Sequence, residues 1–417
     1  MIEKPTVTDI VKYAQQRLAV DKDGSWPTPY KSFCDPKKRS TITRLVKMAF
    51  VKGYVEVVPA NRANLAERLP EAERELIKRF RLRAAVVIQP ALHDVDKSDP
   101  DAVADAIHSQ LGHIQAKLIA HGGVLRDGDS VALSSGRASY HVAHDLAENS
   151  FQSALRDVEV ISLSGSLNPR HYSTLPNLRL DADYNTQEFA RWFGNVVRQR
   201  YVKEWLVDRA KSPVERRRNN DALSEAAWKK GVDVAICGVG ILRPGHRLYE
   251  AITKKLPGFE PIENELQQLI AFSNKYATDF YCPVADIANR LIFVRPVSGI
   301  VMPSSDEQKI EALVDRINRQ TLTVTEDQLR SIKAIALISG SAAKAAATRQ
   351  LLGDYNVRYL CTDVEGSEQI LNIRDQAGVQ DGEQPSIPAA QNNLPTAHTR
   401  NRAPQRKKKR HKVPIDR

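Results

Sequence analysis

The 417-residue sequence predicts an α/β protein: a doubly wound, mainly parallel sheet domain, preceded by a small helical module and followed by a basic tail. Three observations predict this. From residue 84 onward, short apolar runs alternate with helical segments, the pattern of buried parallel strands covered on both faces. The first 60 residues instead show helical periodicity that ends in a short alternating stretch. After residue 373 apolar periodicity disappears.

In residues 1 to 60, Ile10, Val11, Ala14 and Leu18 share one helical face, and an irregular Pro-containing piece follows. Ile42, Leu45, Val46 and Ala49 then fall at i, i+3, i+4 and i+7, a second apolar stripe. Asp35-Pro36 suits an N-cap and first turn, Gly53 a stop, and residues 54 to 58 alternate like a strand. The outer face of this second helix carries Lys37, Lys38, Arg39, Ser40, Thr41, Thr43, Arg44 and Lys47. Cations and hydroxyls at the start of a helix can reach phosphates and base edges in a major groove. A helix, a cationic second helix and a wing-like strand predict a winged helix-turn-helix over 1–60, with those eight residues against double-stranded DNA. A solvated amphipathic helix is the competing explanation.

Residues 61–82 read as a linker helix with Leu65, Leu69, Leu76 and Phe80 on one side and a bend at Pro70. In 83–373 the predicted strands are "AAVVI", "SVALS", "VEVISL", "VDVAIC", "IFV", "IKAIALIS" and "VRYLC". Helices such as "DAVADAIHSQLGHIQAKLIA" and "SAAKAAATRQLL" lie between them, and no internal repeat is visible. Residues 374–417 are rich in Gln, Pro and Asn with a basic cluster at 406 to 412, a composition that predicts disorder. That cluster suits a nonspecific nucleic-acid tether or a localisation patch.

Charge is concentrated at the ends. Residues 1 to 60 hold 11 Lys+Arg against 6 Asp+Glu, and residues 374 to 417 hold 10 against 4, so the whole +11 resides there. A neutral body with two basic ends implies a polyanionic partner. Cys34, Cys237, Cys282 and Cys361 lie far apart with no CxxC pair, which fits a reducing compartment and predicts neither metal nor disulfide framework. No apolar run approaches the roughly 20 residues of a membrane span, and no cofactor motif is present. The expected location is cytoplasmic, without a membrane partner.

In an open parallel sheet, ligands sit at the carboxyl ends of strands. Four such ends carry small or charged residues: "VALSSGRAS" with Ser135, Gly136 and Arg137; "ISLSGSL" with Gly165; "AICGVGILRPG" with Gly238 and Gly240; and "ALISGSAAKAA" with Gly340 and Lys344. Helix-start amides with Arg137 would suit a phosphate. Tight turning alone also explains glycines at such ends. "VADIANR" places Asp286 and Arg290 four apart, as a ligand pair or a surface salt bridge.

The N-terminal "RSTITRLVKMAFVKGYVEV", the linker "LPEAERELIKRFRLRAAVVI", "DGDSVALSSGR" and "LRSIKAIALISGSAAKAAATRQLL…VRYLCTD" together resemble the SorC-type transcriptional regulators of bacteria, over about residues 35 to 372. The resemblance implies an effector domain with the fold of sugar-phosphate isomerases and glucosamine-phosphate deaminases. It also implies a homo-oligomer, dimer or tetramer, whose operator affinity is set by a sugar or sugar phosphate. On that basis Ser135, Gly136, Arg137, Gly165, Gly240, Asp286, Arg290 and Lys344 become effector contacts, with no catalytic residue. Ser135 stands where the family loop has Trp, and Ala138 where it has Thr; Ala285 and Asn289 stand where it has Gly. These departures imply a reshaped phosphate site. Two alternatives remain. One is a sugar-phosphate isomerase or deaminase using Asp286 with His141 or His144; the other is a DNA-binding protein whose sheet domain only mediates assembly.

Overall fold

The computed structural model describes residues 66–373 apart from 93–94, 149–152, 154, 166–180, 194–197, 201–230, 256–258 and 322. The winged helix-turn-helix expected over 1–60, its eight predicted DNA contacts and the tail 374–417 lie outside the described residues.

Ten strands form one sheet among the described residues: β1 Glu67–Arg68, β2 Ala84–Gln89, β3 Ser130–Leu133, β4 Glu159–Ser162, β5 Arg198–Arg200, β6 Val234–Ile241, β7 Val284–Ile287, β8 Arg290–Phe293, β9 Ala334–Ser339 and β10 Val357–Asp363. The lateral order is β1-β2-β10-β9-β6-β3-β4-β5. All pairs from β2 to β5 are parallel, and β1 closes one edge antiparallel to β2. The α/β class is therefore as the alternating pattern predicts. The run "IFV" is the exception, because it forms β8 of an antiparallel hairpin rather than a parallel strand.

Ten helices lie among these strands in the described residues: α1 Pro70–Phe80, α2 Pro100–His121, α3 Arg137–Ala147, α4 Ala182–Arg191, α5 Arg247–Thr253, α6 Glu263–Tyr276, α7 Ser304–Asn318, α8 Glu326–Ser331, α9 Ala345–Asp354 and α10 Val364–Asn372. They divide between the two faces. Along β6, Val234 and Ile236 join one apolar cluster with Leu111, Val142, Leu146 and Phe189 from α2, α3 and α4. Ala235, Cys237 and Val239 join the other, with Leu76, Leu266, Ile310, Leu351 and Ile370 from helices on the opposite face. Period-2 alternation of wholly apolar strands is what a doubly covered sheet requires.

The expected linker helix begins later than its pattern suggests. Glu67–Arg68 is a strand, and α1 starts at Pro70 rather than bending there. Proline forces the preceding residue toward extended backbone and suits the first helical turn, where its missing N–H costs nothing. Leu69 accordingly has φ −111 and ψ 81. Glu73 of α1 is buried, takes Arg68 Nε and Nη2 at 2.9 and 2.7 Å, and accepts the Val87 amide. With Leu76 fully buried, this segment belongs to the sheet domain's core.

Strands β3 and β6 are neighbours that lead in opposite directions. From β3 the chain moves outward to β4 and β5; from β6 it moves the other way to β9 and β10. That is a topological switch point, where the carboxyl ends open a crevice.

Gln115 goes against the packing logic at both of its polar atoms. Gln115 on α2 is fully buried, and neither its amide oxygen nor its nitrogen has a hydrogen-bond partner. An unpartnered buried amide costs about 1–3 kcal/mol. Gln115→Met keeps the volume and removes that cost, so the full-length variant should unfold about 1–3 kcal/mol less readily in thermal or denaturant melts. A lower melting temperature would mean that the amide is matched in solution.

Candidate functional site

The crevice is built from the residues that follow β3, β4, β6, β9 and β10. After β3, Ser134 is fully buried; its Oγ lies 2.8 Å from Ser139 Oγ and accepts the Gly238 amide at 3.3 Å, joining β3 to β6. Ser134 O accepts Asn185 Nδ2 from α4 at 2.9 Å. Gly136 then takes φ 106 and ψ 163, a conformation open only to glycine, and α3 begins at Arg137. Arg137 Nη2 contacts Asp101 Oδ1 at 3.0 Å across to α2.

Strand β6 runs beyond the parallel sheet and pairs with β7, placing Gly240 opposite Asp286. A Cβ at residue 240 would lie 1.8 Å from Asp286 Oδ1 and 2.8 Å from His246 Nε2. Glycine is therefore obligatory there, because the carboxylate and the imidazole occupy that space. His246 Nε2 lies 2.6 Å from Asp286 Oδ1, while its Nδ1 accepts the Leu248 amide at the start of α5. That second bond assigns the proton to Nε2, which donates to the carboxylate. Asp286 Oδ2 accepts the Asn289 amide at 3.2 Å.

Ala288 and Asn289 form the two-residue turn of the β7–β8 hairpin, with φ 55 and 61. Such turns need positive φ at both central positions, and Asn tolerates it well. The carboxamide of Asn289 spans the crevice: its Oδ1 accepts Ser135 Oγ at 2.7 Å and its Nδ2 donates to Ser164 Oγ at 3.1 Å. Gly165 follows Ser164, buried at the end of β4.

At the far side, Gly340-Ser341 follow β9, and Lys344 ends a 3-10 turn just before α9. Lys344 Nζ lies 2.9 Å from His108 Nε2, and His108 Nδ1 lies 2.6 Å from Ala104 O. A carbonyl needs a donor, so Nδ1 carries the proton and Nε2 faces the amine with its lone pair. Burial pulls Lys344 down to about 8, opposed by the carboxylates of Asp286 and Asp363. Burial and the Lys344 charge hold His108 well below its ordinary value. Asp363, at the end of β10, is buried, and that burial raises its pKa; it accepts the amides of Ser341 and Gly366, each at 2.8 Å.

Ser135, Gly136, Arg137, Gly165, Gly240, Asp286 and Lys344 are thus all placed at the strand ends of this crevice. Arg290 is not. In the two-residue hairpin Ile287 is opposite Arg290 and Asp286 is opposite Leu291, so Asp286 and Arg290 point to opposite faces. Arg290 Nε lies 3.4 Å from Glu326 Oε2 instead, and His246 is the partner of Asp286. The histidines considered for an enzyme are engaged elsewhere: His141 with Asp105 at 3.6 Å, His144 stacked on Tyr140. Sequence spacing missed His246, His108, Asn185, Asn289, Ser164 and Asp363. Asp363 in "VRYLCTD", Ser164 in "ISLSGSL", Asn289 in "VADIANR" and His246, beside the glycines of "LRPGHR", stood within or next to a visible signal. Among the described residues no group of three or more His, Cys, Asp or Glu is placed to hold a metal, and no helix is long and apolar enough to cross a membrane.

Comparison with solved structures finds bacterial transcriptional regulators. The full-length sorbitol operon regulator SorC from Klebsiella pneumoniae is 22% identical, with a TM-score of 0.49 over 87% of this chain and 98% of its own. A DeoR family transcriptional regulator from Listeria monocytogenes is 15% identical, with a TM-score of 0.49 over 72% and 98%. A transcriptional regulator from Streptococcus pneumoniae is 14% identical, with a TM-score of 0.46 over 72% and 94%. No protein-family model and no curated protein matches the chain. The regulators found include the type that the sequence resembles.

Ser341 marks strain at the site. It holds φ 79 and ψ 146, a region reserved almost wholly for glycine, while its amide is tied to Asp363. Ser341→Gly should therefore stabilise the protein by about 1 kcal/mol net of the added chain entropy, read as a raised melting temperature. A loss of stability would assign the Ser341 side chain a bonding role.

Proposed function

We propose that the protein is a ligand-responsive DNA-binding transcriptional regulator whose operator affinity is modulated by a sugar or sugar phosphate. One observation carries the effector half. Arg137, Lys344 and the hydrogen-bonded set Ser135–Asn289–Asp286–His246 come from segments far apart in sequence, yet meet at the switch-point crevice. Two cations beside glycine-started and strained turns suit an anionic group, and the carboxylate and amides suit hydroxyls. Ser135, Gly136, Arg137, Gly165, Gly240, Asp286 and Lys344 form the effector site in this proposal, and Arg290 is left out of it. The DNA half rests on the sequence: a winged helix-turn-helix over 1–60, reading operator DNA through Lys37, Lys38, Arg39, Ser40, Thr41, Thr43, Arg44 and Lys47. The sheet domain carries effector binding and homo-oligomerisation, and the tail 374–417 tethers to nucleic acid.

The enzyme alternative receives less support. Asp286 is held by His246 and the Asn289 amide, and both ring nitrogens of His246 are engaged. His141 and His144, the histidines considered with it, are paired with Asp105 and stacked on Tyr140 instead.

Three tests follow from this. In gel shifts against the DNA flanking its own gene, Arg39→Ala or Arg44→Ala should cost about 1–3 kcal/mol, with changed preference at one base position. Parent-like binding by both variants would remove this helix as the reading element. Arg137→Ala and Lys344→Ala should keep operator binding but lose about tenfold to a hundredfold in effector potency, the cost of a charge-assisted bond. Unchanged potency in both would place the ligand elsewhere.

The third test is pH. Lys344 is charged below about 8 and neutral above it, so affinity for a phosphorylated ligand should be full near pH 7 and fall as pH rises through that value. Lys344→Ala should bind more weakly with a flattened profile; a parent profile flat from pH 7 to 9 would remove the amine from the site.

A further inference from the structure

The crevice is chemically asymmetric, and its two halves leave different groups unpaired. On the β9–β10 side the free capacity is cationic, Lys344 with Arg137 nearby. On the β3–β4 side it is neutral and of both kinds. Asn185 is fully buried; its Nδ2 is spent on Ser134 O, and its Oδ1 has no partner. Ser164 is fully buried as well. Its Oγ accepts from Asn289 at 3.1 Å. Asn289 itself keeps a second amide hydrogen and a second lone pair beyond the bonds to Ser164 and Ser135. Unpaired buried acceptors and donors are costly, and a site built to pair them discriminates strongly.

The ionised oxygens of a phosphate only accept, so they cannot satisfy Asn185 Oδ1. A hydroxyl donates and accepts at once, which is what this half lacks. The bridging carboxamide also sits on a hairpin turn, and it links the β3 and β4 ends only through side chains. A ligand hydroxyl can replace either of its bonds without breaking backbone pairing.

We propose that Asn289, with Ser164 and Asn185, forms a hydroxyl-reading subsite that selects polyhydroxylated ligands over bare anions, Asn289 being the specificity-determining residue. The proposal deepens the effector reading above and rests on it. It assigns the ligand an orientation: anionic group toward Arg137 and Lys344, hydroxyl-bearing end toward the β3–β4 loops.

The test uses the full-length protein in calorimetric titrations with inorganic phosphate and with pentose, hexose and hexitol monophosphates. The variants are Asn289→Gly, whose φ of 61 glycine accepts without strain, and Ser164→Ala. In the parent at least one sugar phosphate should bind about tenfold or more tightly than inorganic phosphate. In both variants that surplus should shrink by about tenfold, with inorganic phosphate affinity unchanged. Equal loss for phosphate and sugar phosphates, or a surplus untouched in both variants, overturns the subsite. If Lys344→Ala abolishes the response while Asn289→Gly leaves the surplus intact, the effector reading stands and this inference falls. A parent that binds none of the compounds overturns both.

Discussion

Asp286 can occupy the crevice only because residue 240 carries no side chain. Strand β6 leaves the parallel sheet still extended and pairs with the β7–β8 hairpin, bringing Gly240 against the carboxylate and the His246 ring. A buried carboxylate needs partners, and each comes from a different segment: the imidazole from the loop after β6, the amide from the hairpin turn. His246 is in turn fixed by capping α5 with its other nitrogen. Any side chain at residue 240 would displace the Asp286 carboxylate and the His246 ring from the positions in which they bond each other and the Asn289 amide.

The same constraint organises the electrostatics. Lys344 lies in a low-dielectric setting where its charge is disfavoured by burial and favoured by Asp286 and Asp363. Its direct partner is a neutral histidine rather than a carboxylate, so the amine is not locked into an ion pair. Asp363 spends its oxygens on the Ser341 and Gly366 amides, fixing the turn that presents Lys344. The carboxylates of Asp286 and Asp363 are thus held by backbone and imidazole donors, while the amine faces only the neutral imidazole of His108.

Much of the fold was legible in the sequence. Runs such as "IKAIALIS" and "VDVAIC" are apolar at every position because both faces of a central parallel strand are covered, and they became β9 and β6. Pro70 was legible as a helix signal but misplaced as a bend, since spacing of Leu65, Leu69 and Leu76 continues through it whether or not the backbone does. "IFV" had the right period and the wrong partner. Periodicity reports burial and not which neighbour supplies the hydrogen bonds.

The sequence by itself determined which strand ends carry small and charged residues. Tertiary structure decided which side chains meet there. Four-residue spacing suggested that Asp286 faces Arg290, but the two-residue turn between them reverses the chain and sends the pair to opposite faces. It also brought in His246, Asn185 and His108, whose distances in sequence from Asp286, Ser134 and Lys344 carry no local signal. Hydrogen bonds between residues so far apart are fixed by the order of strands in the sheet, a property that no window of local sequence contains.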